Sequence, residues 1–279
     1  MKVAFWSNAG AVCSVSQNLA AISVASVNRF HYSIIAMENR LQSHNLGKAY
    51  HCREKYNSHD SVGTNYYDGN GIEGLLRKIY RGDYKPDILK GYLKEIIRKH
   101  LYYIPQSKII HNEIFDYEFD HCIYSIFQMT DQCADICFID TASNNSLSTK
   151  FILEEADLIV INLCQKESVL NDFFQNYSSL IPKAVFIISN YDPKASKCGL
   201  SLFKENHIPR ENIIAIPYNE LYHVAYESGN VLDFINGNYS CDIDNPNYPY
   251  MQSVKKATYI IIRKLEQVKR KKVLHPCGK

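Results

Sequence analysis

No apolar run in this chain approaches the roughly 20 residues that a helix needs to cross a bilayer, which argues against a membrane-spanning class. A surplus of one charge is also missing. There are 31 Lys and Arg against 29 Asp and Glu, a formal net charge of +2, so the overall electrostatic footprint of a nucleic-acid-binding protein is lacking. The nine cysteines include no C-x-x-C pair, and their odd number argues against a complete disulfide framework. Scattered as they are, they read as small buried hydrophobes of a reducing compartment. The stretch Met1-Lys2-Val3-Ala4-Phe5-Trp6 enters an apolar segment with no signal-peptide core before it, so the expectation is a cytoplasmic protein.

What is present reads as a globular α/β chain. The 279 residues, 46% hydrophobic and 22% charged, suffice for one large domain or two small ones. The expectation is a single domain over 1–279, with an irregular and helical insertion at about 42–100 and a C-terminal helix at about 250–272.

The chain is organised around its first twenty-five residues. Lys2 to Trp6 reads as a strand, Ser7-Asn8-Ala9-Gly10-Ala11-Val12-Cys13-Ser14 as a tight loop, and the Ala- and Leu-rich run to Ala25 as a helix. Strand, small-residue loop and helix make the phosphate-loop unit. A working phosphate loop uses glycines to turn backbone N–H groups onto an anion, a Lys for the β- and γ-phosphates and a Ser or Thr for Mg²⁺. Here Gly10 is the one glycine of the loop and no lysine is present. The segment alone fits a degenerate phosphate loop or an ordinary β-loop-α crossover.

Further apolar runs predict strands near 33–37, 101–104, 135–139, 158–163, 184–189 and 213–216. They do not alternate, as expected when helices cover both faces of a parallel sheet, and helix-length segments separate most of them. The predicted fold class is therefore a doubly wound, mostly parallel α/β sheet. Helical spacing predicts helices over 71–79, 88–100 and 115–129, and 42–70 reads as polar loop or short helices. Lys78, Arg81, Lys85, Lys90, Lys94, Arg98 and Lys99 form a solvated face or a basic docking surface. Phe138-Ile139-Asp140-Thr141 has the Walker B form, a strand-terminal carboxylate that holds a Mg²⁺-bound water.

These pieces together resemble a family. The loop unit, Phe138-Ile139-Asp140-Thr141, Glu155-Ala156-Asp157-Leu158-Ile159-Val160-Ile161, Asn190-Tyr191-Asp192-Pro193, Ile216-Pro217-Tyr218-Asn219 and Ala225-x-x-x-Gly229 occur in the order and approximate spacing of ParA/MinD-type ATPases. The resemblance covers 1 to about 40 and 130 to 235. It looks closest to the TadZ/CpaE branch, found with Tad pilus and secretion clusters, where many Walker A loops are eroded. Anchored on Asn18-Leu19-Ala20, the family's signature lysine falls on Ser7, its phosphate-contacting lysine on Val12 and its Mg²⁺-holding hydroxyl on Cys13.

The resemblance implies ATP phosphates over Gly10, Ala11, Val12, Cys13 and Ser14, and Mg²⁺ near Cys13 and Asp140. It puts Glu38 at the acidic strand end near the nucleotide, and adenine near Ser189 or Asn190 and Pro217. With both lysines absent, it implies nucleotide and Mg²⁺ held loosely or not at all, and little or no ATPase activity. It further implies a homodimer and a positioning or regulatory role in a pilus or secretion machine. The alternative is an active ATPase that partitions DNA or cycles on a membrane. The helical stripe Val254, Ala257, Ile261, Leu265 and Val268, with Lys269-Arg270-Lys271-Lys272 at its end, either packs on the sheet or makes a peripheral contact at the inner face of a membrane.

Overall fold

The computed structural model describes residues 1–41, 46–50, 71–106, 111–195 and 201–274. The chain begins with β1 (Lys2–Trp6), a 3₁₀ turn at Gly10–Cys13, α1 (Val15–Arg29), β2 (Ile34–Glu38) and α2 (Leu46–Tyr50). Next come α3 (Ile72–Tyr80), α4 (Pro86–Tyr92), β3 (Lys94–Ile97), β4 (Leu101–Tyr103), α5 (Asn112–Cys133) and β5 (Ile136–Asp140). Then follow α6 (Leu147–Glu155), β6 (Leu158–Leu163), α7 (Glu167–Asn176), β7 (Ala184–Tyr191), α8 (Ser201–Glu205) and β8 (Ile213–Pro217). Three helices complete it: α9 (Glu220–Glu227), α10 (Val231–Asn238) and α11 (Tyr248–Leu274).

One eight-stranded sheet has the order β3-β4-β2-β5-β1-β6-β7-β8. Every neighbouring pair is parallel except β3 with β4. Residues alternate between two cores: Val3, Phe5 and Val160 pack with α1 and α11, while Ala4, Trp6 and Ile161 pack with α5 and α7. A strand covered on both faces cannot alternate apolar with polar, which is why these runs read as continuous. From β1 the chain winds to β2 on one side, and from β5 it crosses to β6 on the other. The carboxyl ends of β1 and β5 therefore flank the switch point, where open α/β sheets build ligand crevices.

The doubly wound α/β fold holds as expected, with one local correction. The helix expected over 88–100 stops at Tyr92, and Lys94–Ile97 is a strand paired antiparallel with β4. Ile96 and Ile97 are β-branched and suit a strand. Lys99 takes a left-handed φ of 64° in the connecting turn, and its N–H is fixed by Glu95 Oε1 at 2.8 Å. Local pairing across that turn overrides helical spacing. Of the expected irregular stretch 42–70, only 46–50 lies within the described residues.

The C-terminal stripe packs. Val254, Ala257, Ile261 and Leu265 of α11 are buried against α1 and β8. Lys272 pairs with Asp157 at the foot of the sheet.

Candidate functional site

The loop after β1 is held by its own backbone and its neighbours. Ser7 Oγ accepts the N–H of Ala9 at 3.1 Å, and Ser143 donates to the Ser7 carbonyl. Asn8 Nδ2 donates to Asp172 Oδ2 at 2.7 Å and to the Val169 carbonyl at 3.0 Å, so the loop leans on α7. Gly10 has φ 57°, a backbone state that glycine enters without a Cβ penalty. A Cβ there would meet Ser143 Oγ at an ordinary 3.6 Å, so conformation and not space calls for glycine. Ser14 caps α1 with φ 51° and makes no side-chain cap.

Of the residues placed over the phosphates, Gly10 to Cys13 form the 3₁₀ turn and Ser14 adjoins it. Val12 points outward, 48% exposed. Ser7, in the place of the signature lysine, is buried. No cationic side chain belongs to the loop.

A cation arrives from elsewhere. Asp140 ends β5 with 0% exposure. Its Oδ2 accepts the Ser16 hydroxyl, and its Oδ1 lies 3.1 Å from Arg40 Nη2. Arg40, 23% exposed on its side chain, also donates to Ser16 Oγ at 3.2 Å. Burial pushes the Asp140 carboxyl above its ordinary range, opposed by Arg40 and by the Ser16 hydrogen bond. Tyr226 of α9 is buried. Burial and the Asp140 and Glu38 carboxylates raise its phenol.

Glu38 pairs in register with Asp140, yet its carboxylate turns to other work. Tyr103 donates to Glu38 Oε2 at 2.7 Å, and the Leu46 N–H lies 3.2 Å from both oxygens. Asn39 ties the two strand ends together. Its Oδ1 accepts the Ala142 N–H at 2.6 Å, and its Nδ2 donates to Thr149 Oγ1 at 3.0 Å.

Ser189 and Asn190 lie at the end of β7. Ser189 donates to the Cys13 carbonyl at 2.7 Å and accepts Asn18 Nδ2 at 2.9 Å, which also donates to Asn162 Oδ1 at 2.8 Å. Asn190, at φ 52°, donates to Ser14 Oγ at 3.0 Å. Asn190 and Pro217 line a recess with Ser14, Gln17, Tyr218 and His223, but it encloses only about 10 Å³. That is barely room for one water.

Cys13 is buried in the loop after β1, and Cys164 follows β6, the strand paired with β1. The neighbouring Cys164 thiol and burial push the Cys13 thiol up. These donors do not fit Mg²⁺. The ion prefers hard oxygen in an octahedron, whereas Cys13 offers a buried sulfur and Asp140 is already satisfied by a guanidinium and a hydroxyl. Among the described residues no group of three or more His, Cys, Asp or Glu is placed to hold a metal.

The structure thus joins Asp140 to Ser16 and Arg40, which sequence reading missed. Arg40 lies two residues past Glu38, and strand register alone carries it over Asp140. Also unforeseen is a cleft of about 390 Å³ between α6 and residues 178–183, lined by Trp6, Asn144, Lys150, Leu153 and Tyr177.

No protein-family model and no curated protein matches the chain. Solved structures do share its fold. A ParA family ATPase from Chlorobium tepidum TLS superposes with TM-score 0.67 at 15% identity, over 92% of this chain and 98% of that one. The septum site-determining protein MinD complexed with Mg-ADP, from Pyrococcus horikoshii OT3, gives 0.66 at 14%, over 93% and 95%. A putative plasmid partition protein from Borrelia burgdorferi B31 bound to AMPPNP gives 0.56 at 15%, over 94% and 98%. The chain therefore has the α/β fold of ParA and MinD proteins. Among the described residues no helix is long and apolar enough to cross a membrane.

Proposed function

We propose that this chain is a single-domain ParA/MinD-like protein of the TadZ/CpaE kind with a degenerate nucleotide site. It acts as a positioning or regulatory component of a pilus or secretion machine and does not depend on ATP hydrolysis. The observation that carries this reading is the Arg40–Asp140 pair beside a loop whose lysine place is Val12. An internal guanidinium balances the carboxylate that would otherwise face Mg²⁺. A triphosphate laid on this loop would bury charge with no loop cation to match it, which is costly. Charge developing on a transferred phosphoryl group would find no loop lysine to stabilise it.

A homodimer is part of this reading. Val12, Tyr218, Leu221 and Val224 are exposed apolar side chains on the segments that follow β1 and β8, and pairing two such faces would cover them. The burial of the α11 stripe favours packing over insertion in a membrane and leaves its basic end, Lys269 to Lys272, for any peripheral contact.

Phosphate release with and without DNA and anionic vesicles tests the reading. Turnover at the level of the Asp140→Ala control supports it. Stimulated turnover that Asp140→Ala abolishes would make the chain an active ATPase of the partitioning or membrane-cycling type.

A further inference from the structure

On the sheet face away from α1, the cleft between α6 and residues 178–183 has no part in the proposed function. Trp6 ends β1 and turns its side chain to the core shared with α5 and α7, where it is 3% exposed. Its ring lies 4.9 Å from that of Tyr177, tilted by 59°. Leu153 of α6 and Leu180 add apolar lining to a space of about 390 Å³. That volume is within the range of small-molecule sites, and about 150 Å³ is enough for one benzene ring. The space is thus sized for two fused rings and a substituent. Two further observations say what would fill it. Trp6 Nε1 is buried without a hydrogen-bond partner, an unmet donor on a ring that lines the cleft, and such a donor is costly to leave unmet. Lys150 and Lys183, both exposed, line the same cleft. The Lys183 ammonium donates to the Glu154 carbonyl, and among the described residues neither lysine makes an ion pair. Glu154 is the acidic residue of the lining, so two ammonium groups against one carboxylate leave it net positive.

We propose that this cleft binds a small planar heteroaromatic carboxylate, with its rings among Trp6, Tyr177 and the two leucines and its carboxylate toward Lys150 and Lys183, at a site separate from the phosphate loop. Packing of ring against tilted ring supplies contact that is selective for flat molecules. The carboxylate meets ammonium donors at the exposed end, and charge-assisted bonds of this kind are the strong ones. A ring nitrogen of the ligand accepts the indole N–H of the deeper Trp6 and removes the unmet donor. Ser143, which also lines the cleft, donates to the Ser7 carbonyl, so the bound ligand adjoins a residue that holds the loop.

Trp6 is the single tryptophan of the chain, so a proton–nitrogen correlation spectrum of the full-length native protein carries one indole N–H signal. Titrated with quinoline-6-carboxylate, that signal moves downfield and saturates with a Kd of about 1 mM or tighter, the range that ligand efficiency gives for so few atoms. Naphthalene-2-carboxylate has the same shape without the ring nitrogen and binds at least about fivefold more weakly. Quinoline-6-carboxamide lacks the charge and binds about threefold or more weakly, and the Lys150→Gln, Lys183→Gln double variant loses quinoline-6-carboxylate by a similar factor. The native-protein titrations do not depend on any variant's folding. An indole signal that stays in place or never saturates up to about 10 mM, ten times the expected Kd, overturns the proposal. So does a carboxamide that binds as well as the carboxylate, or competition between Mg²⁺-ATP and quinoline-6-carboxylate for the same signal, which would merge the cleft with the nucleotide site.

Discussion

Arg40 Nη2 stands 3.1 Å from Oδ1 of Asp140, a carboxylate with no exposed surface at the carboxyl end of a central strand. The pair links a residue just past β2 to the last residue of β5 and supplies the site with a cation that the loop itself lacks. Removing either partner leaves the other uncompensated, which is the costly way to break a buried ion pair.

Arg40→Ala is therefore expected to cost about 3 kcal/mol at neutral pH, the lower end for a broken buried pair because the arginine is partly solvated. Urea unfolding measures it. The Asp140 carboxyl is raised in the folded protein, so the native state holds its proton at pH values where the unfolded chain has released it. Stability from this group is lost as pH rises through that window. Without Arg40 the folded value climbs further, so the Arg40→Ala deficit shrinks as pH falls from 7 toward 5. A deficit that grows on acidification would contradict this assignment.

Asn18→Ala leaves Asn162 Oδ1 without its side-chain donor and removes one of the contacts to Ser189, all in a buried setting. The expected loss is about 2 kcal/mol, the usual penalty for stranding a buried polar atom. Denaturant unfolding reads the loss, and faster amide exchange around Cys13 reports the loosened loop.

How much of this was legible beforehand depended on what set each feature. The parallel strands announced themselves because burial on both faces makes apolar runs such as Leu158–Leu163. The strand Lys94–Ile97 did not, since its pairing across a three-residue turn is a tertiary choice that helical spacing conceals. Asp140 was recognisable from its strand end. Arg40 was not, because only the register Glu38↔Asp140 reveals that the residue two places on reaches the same carboxylate.

Val12→Lys restores a cation at the phosphate-contacting position on a half-exposed side chain, so stability should change by no more than about 0.5 kcal/mol. Alone it should not restore turnover, since Arg40 still occupies Asp140. Thermal melting and phosphate release check both statements.

Ile261→Asp places a charge inside the buried face of α11 and should destabilise the fold by several kcal/mol, about 3 or more. Lys272→Ala breaks a pair whose lysine is mostly solvated, and about 0.5 kcal/mol is expected. Chemical unfolding separates the two. A harmless Ile261→Asp variant that loses vesicle binding would instead assign the stripe to a membrane.

Calorimetric titration of Mg²⁺ and ATP into the purified protein bears most directly on the central claim. Two missing charge-assisted contacts, each worth about 1.5–3 kcal/mol, take micromolar binding to a Kd weaker than about 100 μM. The account predicts no saturation below that concentration for the native chain, and tighter binding in Val12→Lys combined with Arg40→Ala. A submicromolar Kd in the native chain, or nucleotide carried through purification, would contradict it.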